Sequence, residues 1–193
     1  AQVTHAIGLA AIAAGLTPAF LGCSDTHGGA VGGTSLTGMR VRELSRETVL
    51  DAVRHRRTWA TNGERIVLEA AADAEGELPA VRVRAVVTAS VEMLEIFRND
   101  RPVARVRDLP DGPEIRIAWE DDQLLSPECL ADSVSYHVKL VQTSGNRYDP
   151  SRRDTAISSP AAVRLEARHF AAAARRAGAG GDDGAALGAA TAR

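Results

Sequence analysis

The sequence predicts an α+β protein in which a short αβ step precedes an antiparallel β-sandwich. Three observations carry that expectation. Residues 3–14 are small and aliphatic and read as a helix packed closely on a sheet, stopped by Gly15 and Pro18, and the apolar residues 19–23 read as a short buried strand. From Asn62-Gly63 onward the texture changes to short β-branched or alternating runs at 65–71, 81–87, 92–98, 102–106, 114–119, 133–142 and 155–165. Polar or Gly/Pro turns separate them, which is the signature of a sandwich. After Leu165 a short helix is expected through Arg176, and 177–193 is an alanine and glycine tail that buries too little apolar surface to order itself. The expected organisation is therefore an αβ segment at 1–63, a sandwich at 64–166 and a low-complexity tail at 167–193. A helix followed by a strand fits the closing step of a β/α barrel and fits an open α/β sheet equally well.

The chemistry is expected at residues 20–29 (FLGCSDTHGG), where an apolar segment runs into an aspartate and a histidine. If 19–23 is a strand, alternation points Asp25 and His27 the same way at its exit, where carboxylate and imidazole can grip one cation. The competing reading is a turn capped by Ser24 and Asp25 with His27 merely exposed. Residues 28–38 (GGAVGGTSLTG) read as a glycine-rich loop over the site and contain no G-x-x-x-x-G-K-[ST] phosphate loop. Ser45 suits a helix N-cap, Glu47 suits the first turn, and Val49, Leu50 and Val53 form an apolar stripe. The basic residues 54–57 crowd the last turn of that helix, where cations complement its dipole. Asn62-Gly63 marks a tight turn, and 97–103 reads as a hairpin turning at Asn99 and Asp100. Ile115, Ile117 and Trp119 share one strand face as core, while Arg116 and Glu120 take the other.

Composition narrows the function classes. The chain has 193 residues, 45% of them hydrophobic, which permits a real core, but aromatics are only 4%. A formal net charge of −2 argues against a general polyanion-binding surface, so no nucleic-acid partner is expected. The longest apolar run, 6–21, is interrupted by Gly8, Gly15 and Pro18 and is too weakly hydrophobic for a membrane span. No membrane partner is expected. No basic leader or cleavage site of a signal peptide is visible, which leaves the compartment open. Cys23 and Cys129 lack zinc-type spacing and read as unpaired thiols. A serine triad has no G-x-S-x-G elbow to sit on, and Cys23, Asp25 and His27 lie too close together in one loop for a nucleophile, base and orienter.

Residues 15–27 (GLTPAFLGCSDTH) resemble the last metal-ligand motif of the PHP superfamily, the metallohydrolases named for polymerase and histidinol-phosphatase domains. Residues 44–47 (LSRE) and 56–63 (RRTWATNG) resemble the R-R-T-aromatic-A-T-[TN]-G signature of PHP-like proteins with an appended β-domain. Residues 95–99, 136–142 and 158–160 are similar to strands of that domain. The resemblance spans about 5–166 and points to the CehA/McbA-like hydrolases and a branch close to them. It implies that 1–63 is the C-terminal segment of a PHP-type β/α barrel, followed by an antiparallel β-sandwich. It further implies a metal-dependent hydrolase that cleaves a phosphoester, or a related ester or amide bond, of a small-molecule substrate with a metal-activated water. Asp25 and His27 are then two ligands of a divalent metal site (zinc, manganese or iron), and Arg57 falls beside the site entrance.

Such relatives also draw on an early His-x-His pair, a middle acidic residue and further histidines upstream of this motif. Here the chain starts at Ala1, and His5, His55, His137 and His169 are scattered rather than paired. The chain accordingly reads as the C-terminal part of a larger enzyme, inactive or nearly so by itself, or as a remnant without its active centre. The alternative from another class is a non-catalytic β-sandwich that binds a partner or a carbohydrate, or supports a neighbouring barrel, with a vestigial metal motif.

Overall fold

Alternation of apolar and polar residues builds most of this molecule. The computed structural model describes residues 2–24, 34–124, 132–179 and 191–192. Helix α1, Gln2–Ala13, ends where Gly15 takes φ 82, a left-handed conformation that glycine adopts without a Cβ clash. Strand β1 is Leu36–Met39, helix α2 is Arg46–Arg54 and strand β2 is Thr58–Thr61. Strands β3 (Val67–Asp73), β4 (Ala80–Val86), β5 (Val91–Arg98), β6 (Arg101–Val106) and β7 (Glu114–Glu120) follow. The chain continues with β8 (Ser133–Gly145), β9 (Arg153–Ser158), β10 (Ala161–Arg164), helix α3 (Ala167–Ala179) and β11 (Thr191–Ala192).

The strands form two antiparallel sheets. The larger runs β1-β2-β9-β8-β5-β6, with β10 also on β8, and the smaller runs β11-β7-β4-β3. In the smaller sheet the registers Ala70↔Val83↔Ile117 and Leu68↔Ala85↔Ile115 put apolar side chains on one face. That face shares a single core with Trp59, Ile96, Tyr136, Val138 and Leu140 of the larger sheet. The outer positions Glu69, Arg84, Glu114 and Arg116 form a cross-strand ion network instead. Mixed α+β architecture with a sandwich is thus what the described residues form.

Local signals hold where they are local. Ser45 caps α2: its hydroxyl accepts from the Thr48 amide, and Thr48 Oγ1 accepts from the Ser45 amide at 3.2 Å, a capping box closed by threonine. Asn99, at φ 54, turns the β5–β6 hairpin between the paired Arg98 and Arg101. Strand β7 alternates buried and exposed throughout, with Ile115, Ile117 and Trp119 inside.

Four expectations are corrected. Residues 19–23 join no ladder, and the backbone groups of Phe20 and Gly22 bond to side-chain hydroxyls instead. The run 155–165 divides into β9 and β10 at Ser159-Pro160, where proline has no N–H to continue the pairing. Strands β1 and β2, unforeseen, extend the larger sheet through β9, so that sheet crosses the position of the expected boundary at residue 63. Helix α3 reaches Ala179, and β11, inside the expected unstructured tail, pairs with β7. Every strand pair among the described residues is antiparallel, so the parallel ladder of a β/α barrel is not among what they form.

Candidate functional site

Asp25 and His27 lie outside the described residues, as do Cys129 and most of the 28–38 loop. What is described is the approach to them. Phe20 N donates to Ser159 Oγ at 2.8 Å, the Thr58 hydroxyl donates to Phe20 O at 3.1 Å, and the two hydroxyls lie 2.8 Å apart. With Ser159 donating to Thr58, every group in this ring gives one bond and accepts one. Two residues further on, Gly22 N donates to Thr37 Oγ1 and Gly22 O accepts from the same hydroxyl, both at 2.9 Å. A Cβ on Gly22 would come within 2.1 Å of the Leu36 carbonyl, so only glycine allows this approach to β1. Three stretches far apart in sequence, around Phe20, Thr58 and Ser159, therefore meet at one point.

Arg57 stands one residue before β2. Its guanidinium pairs with Asp51 of α2, and the His55 ring also reaches that carboxylate at 2.7 Å. Desolvation works to raise the Asp51 carboxyl, but Arg57 and His55 more than offset it and hold the group below its ordinary range. Arg57 Nε is buried and makes no hydrogen bond. The chain bends here through Arg56 at φ 56, a conformation in which a non-glycine residue is uncommon.

The histidines are not all scattered, which corrects the sequence reading. His5 on α1 and His137 on β8 face each other with their Nε2 atoms 3.3 Å apart. Phe97 stacks on the His137 ring at 4.6 Å, and Phe20 meets it edge-on. Burial pushes the His137 imidazole down to about 3, helped by His5, and leaves its Nδ1 without a hydrogen bond. Burial also lowers His5, with Lys139 adding to the effect and Glu95 opposing it. No sequence signal links residues 5 and 137; only the packing of α1 on the outer face of the large sheet joins them. His169, also buried, is a satisfied structural group: Nδ1 accepts from the Glu166 amide and Nε2 reaches Ala74 O at 3.0 Å. His55 is exposed at the end of α2. Among the described residues no three or more His, Cys, Asp or Glu side chains gather as a metal would require.

A cavity of about 670 Å³ was not legible in the sequence. Trp59, Leu68, Ala70, Val83 and Ile117 line its apolar part, and Arg40, Arg56 and Arg57 line it as well. Trp59 is held as a fixed wall because its Nε1 donates to Ile66 O at 2.7 Å. Its indole lies so close over Gly38 that a Cβ there would approach within 1.9 Å of the ring. No helix among the described residues is long and apolar enough to cross a membrane. Compared with protein families, curated proteins and solved structures, the chain matches none.

Proposed function

We propose that the chain is the C-terminal portion of a metal-dependent hydrolase of PHP type, in which Asp25 and His27 are two of the metal's ligands. The observation that supports this reading is the hydrogen-bonded ring of Phe20, Thr58 and Ser159. It joins three of the stretches that carry the resemblance, GLTPAFLGCSDTH, RRTWATNG and SSP, although more than a hundred residues separate the first from the last. The ring anchors Phe20, five residues before Asp25 in the sequence.

Carboxylate and neutral imidazole are donors suited to zinc, manganese or iron. When bound, such an ion supplies Lewis acidity, polarising a phosphoester or related ester or amide and lowering the pKa of water. Asp25 and His27 would hold the ion, and Arg57, two residues before Trp59, offers a guanidinium to an anionic substrate. Arg57 is shared with Asp51, so it acts as a tethered cation rather than a free one.

The test is made on the full-length natural protein. His27→Ala and Asp25→Asn are expected to lower metal content by mass spectrometry and to reduce hydrolysis of bis(p-nitrophenyl) phosphate by about a hundredfold or more. Unchanged metal content and turnover in both variants, with the fold intact by circular dichroism, overturn the proposal. A second reading, a non-catalytic sandwich that binds a small ligand, is favoured by the apolar cavity with its arginines.

A further inference from the structure

The cavity has two kinds of wall. Its apolar lining is buried: Trp59, Leu68, Val83 and Ile117 are each less than a tenth exposed, and Ala70 is half-buried. Leu68, Ala70, Val83 and Ile117 come from three neighbouring strands of the small sheet, and Trp59 faces them from the large sheet. The solvent-reaching side chains are of the opposite character, with Arg40 exposed just after β1 and Arg56 and Arg57 half-buried after α2. An interior that rejects charge thus opens beside guanidinium groups.

The charges around it do not cancel. Arg40, Arg56 and Arg57 line the cavity, and Arg82, Arg84, Arg116 and Glu69, the one carboxylate among the lining residues, border it from the outer positions of the small sheet. Arg57 is tied to Asp51, Arg82 to Asp73, Arg84 to Glu69 and Glu114, and Arg116 to Glu114. Arg40 and Arg56 have no ion pair among the described residues. A cavity of about 670 Å³ lined by both apolar side chains and arginines lies within the size range of small-molecule sites and fits a ligand with an anionic head and an apolar body. A guanidinium fork matches a pair of oxygens on a carboxylate or phosphate head, and neither a neutral lipid nor a free inorganic anion uses both walls.

We propose that this cavity binds an amphipathic anion, an aliphatic tail bearing a carboxylate or phosphate head. The head sits at Arg40 and Arg56, with Arg57 behind them, and the tail lies against Trp59 between Ala70, Val83 and Ile117. This is the binding-module reading carried to a site and a ligand class, and it rests on that reading. It does not require that the chain hydrolyse anything.

Titration calorimetry on the full chain tests it with decanoate, decyl phosphate, decanol and acetate as probes. Decanoate, decyl phosphate or both are expected to bind, the preferred one naming the head group, while decanol binds more weakly and acetate gives no heat. The double variant Arg40→Ala/Arg56→Ala, which alters only solvent-reaching side chains, is expected to weaken binding of the anion about tenfold or more. Ala70→Leu, which fills the tail's path, is expected to abolish binding, and should it fail to fold, the arginine variant alone carries the test. Absence of binding by both anionic probes, equal binding of decanol and decanoate, or unchanged affinity in the arginine variant overturns the proposal. Loss of hydrolysis in His27→Ala with decanoate binding retained separates this site from the metal motif, and failure of the hydrolase test leaves the calorimetry unaffected.

Discussion

The buried imidazole of His137 ties stability to pH. Its folded value of about 3 lies well below the ordinary histidine value near 6.5, so between those limits the unfolded chain binds the proton that the folded chain refuses. Stability is therefore full above about pH 6.5 and falls on acidification, by about 1.4 kcal/mol per pH unit for this one group. His5, lowered by the same burial, adds to the fall in the same direction. Urea unfolding at pH 7.5 and pH 5 is expected to show this loss in wild type, and His137→Phe is expected to flatten it. An equal acid slope in that variant would mean that other groups set the dependence. Alternation by itself puts His137 on the face of β8 opposite Tyr136 and Val138. It could not say that Phe20, Phe97 and His5 cover that face.

At the scale of elements, the segment 20–22 is held by hydroxyls rather than by a neighbouring strand. Ser159→Ala removes the acceptor for Phe20 N and a donor to Thr58, and is expected to destabilise the protein by about 1 kcal/mol. The effect should be local. Amide exchange at Phe20 is expected to accelerate while the amides of β8 keep their protection, whereas uniform acceleration would place Ser159 in the global core instead. The apolar run at 19–23 reads as a strand because local pattern reports burial and extension but not the identity of the hydrogen-bond partner. Helix α2 was legible down to its cap for the opposite reason, since Ser45 and Thr48 supply both halves of the interaction within four residues.

For the molecule as a whole, the two sheets are clamped by one buried carboxylate. Asp121, just after β7 of the small sheet, accepts from Arg98 of β5 at 2.7 and 2.8 Å and from the Tyr136 hydroxyl of β8 at 2.7 Å. Arg98 is 3% and Asp121 0% exposed, so removing the anion takes a charged partner from a buried guanidinium. Asp121→Ala is expected to destabilise the fold by about 3–5 kcal/mol. Denaturant titrations followed by tryptophan fluorescence and by far-ultraviolet circular dichroism check this, and the two signals should move to lower denaturant together. A loss below about 1 kcal/mol would mean that the pair fixes orientation without stabilising the sandwich.

The sequence by itself determined the sandwich strands from β3 to β8, the Asn99 turn and the inward set Ile115, Ile117 and Trp119, because period-two alternation and turn chemistry are written in neighbouring residues. It also singled out the Phe20 and Arg57 stretches as the places to look. Only the tertiary structure decided that β1 and β2 extend the large sheet, that His5 meets His137, and that an apolar cavity lies beside Arg40 and Arg56. Each of these depends on which distant segment covers a face or leaves it open. Alternation tells which face of a strand is apolar, and it carries no information about what packs upon the other.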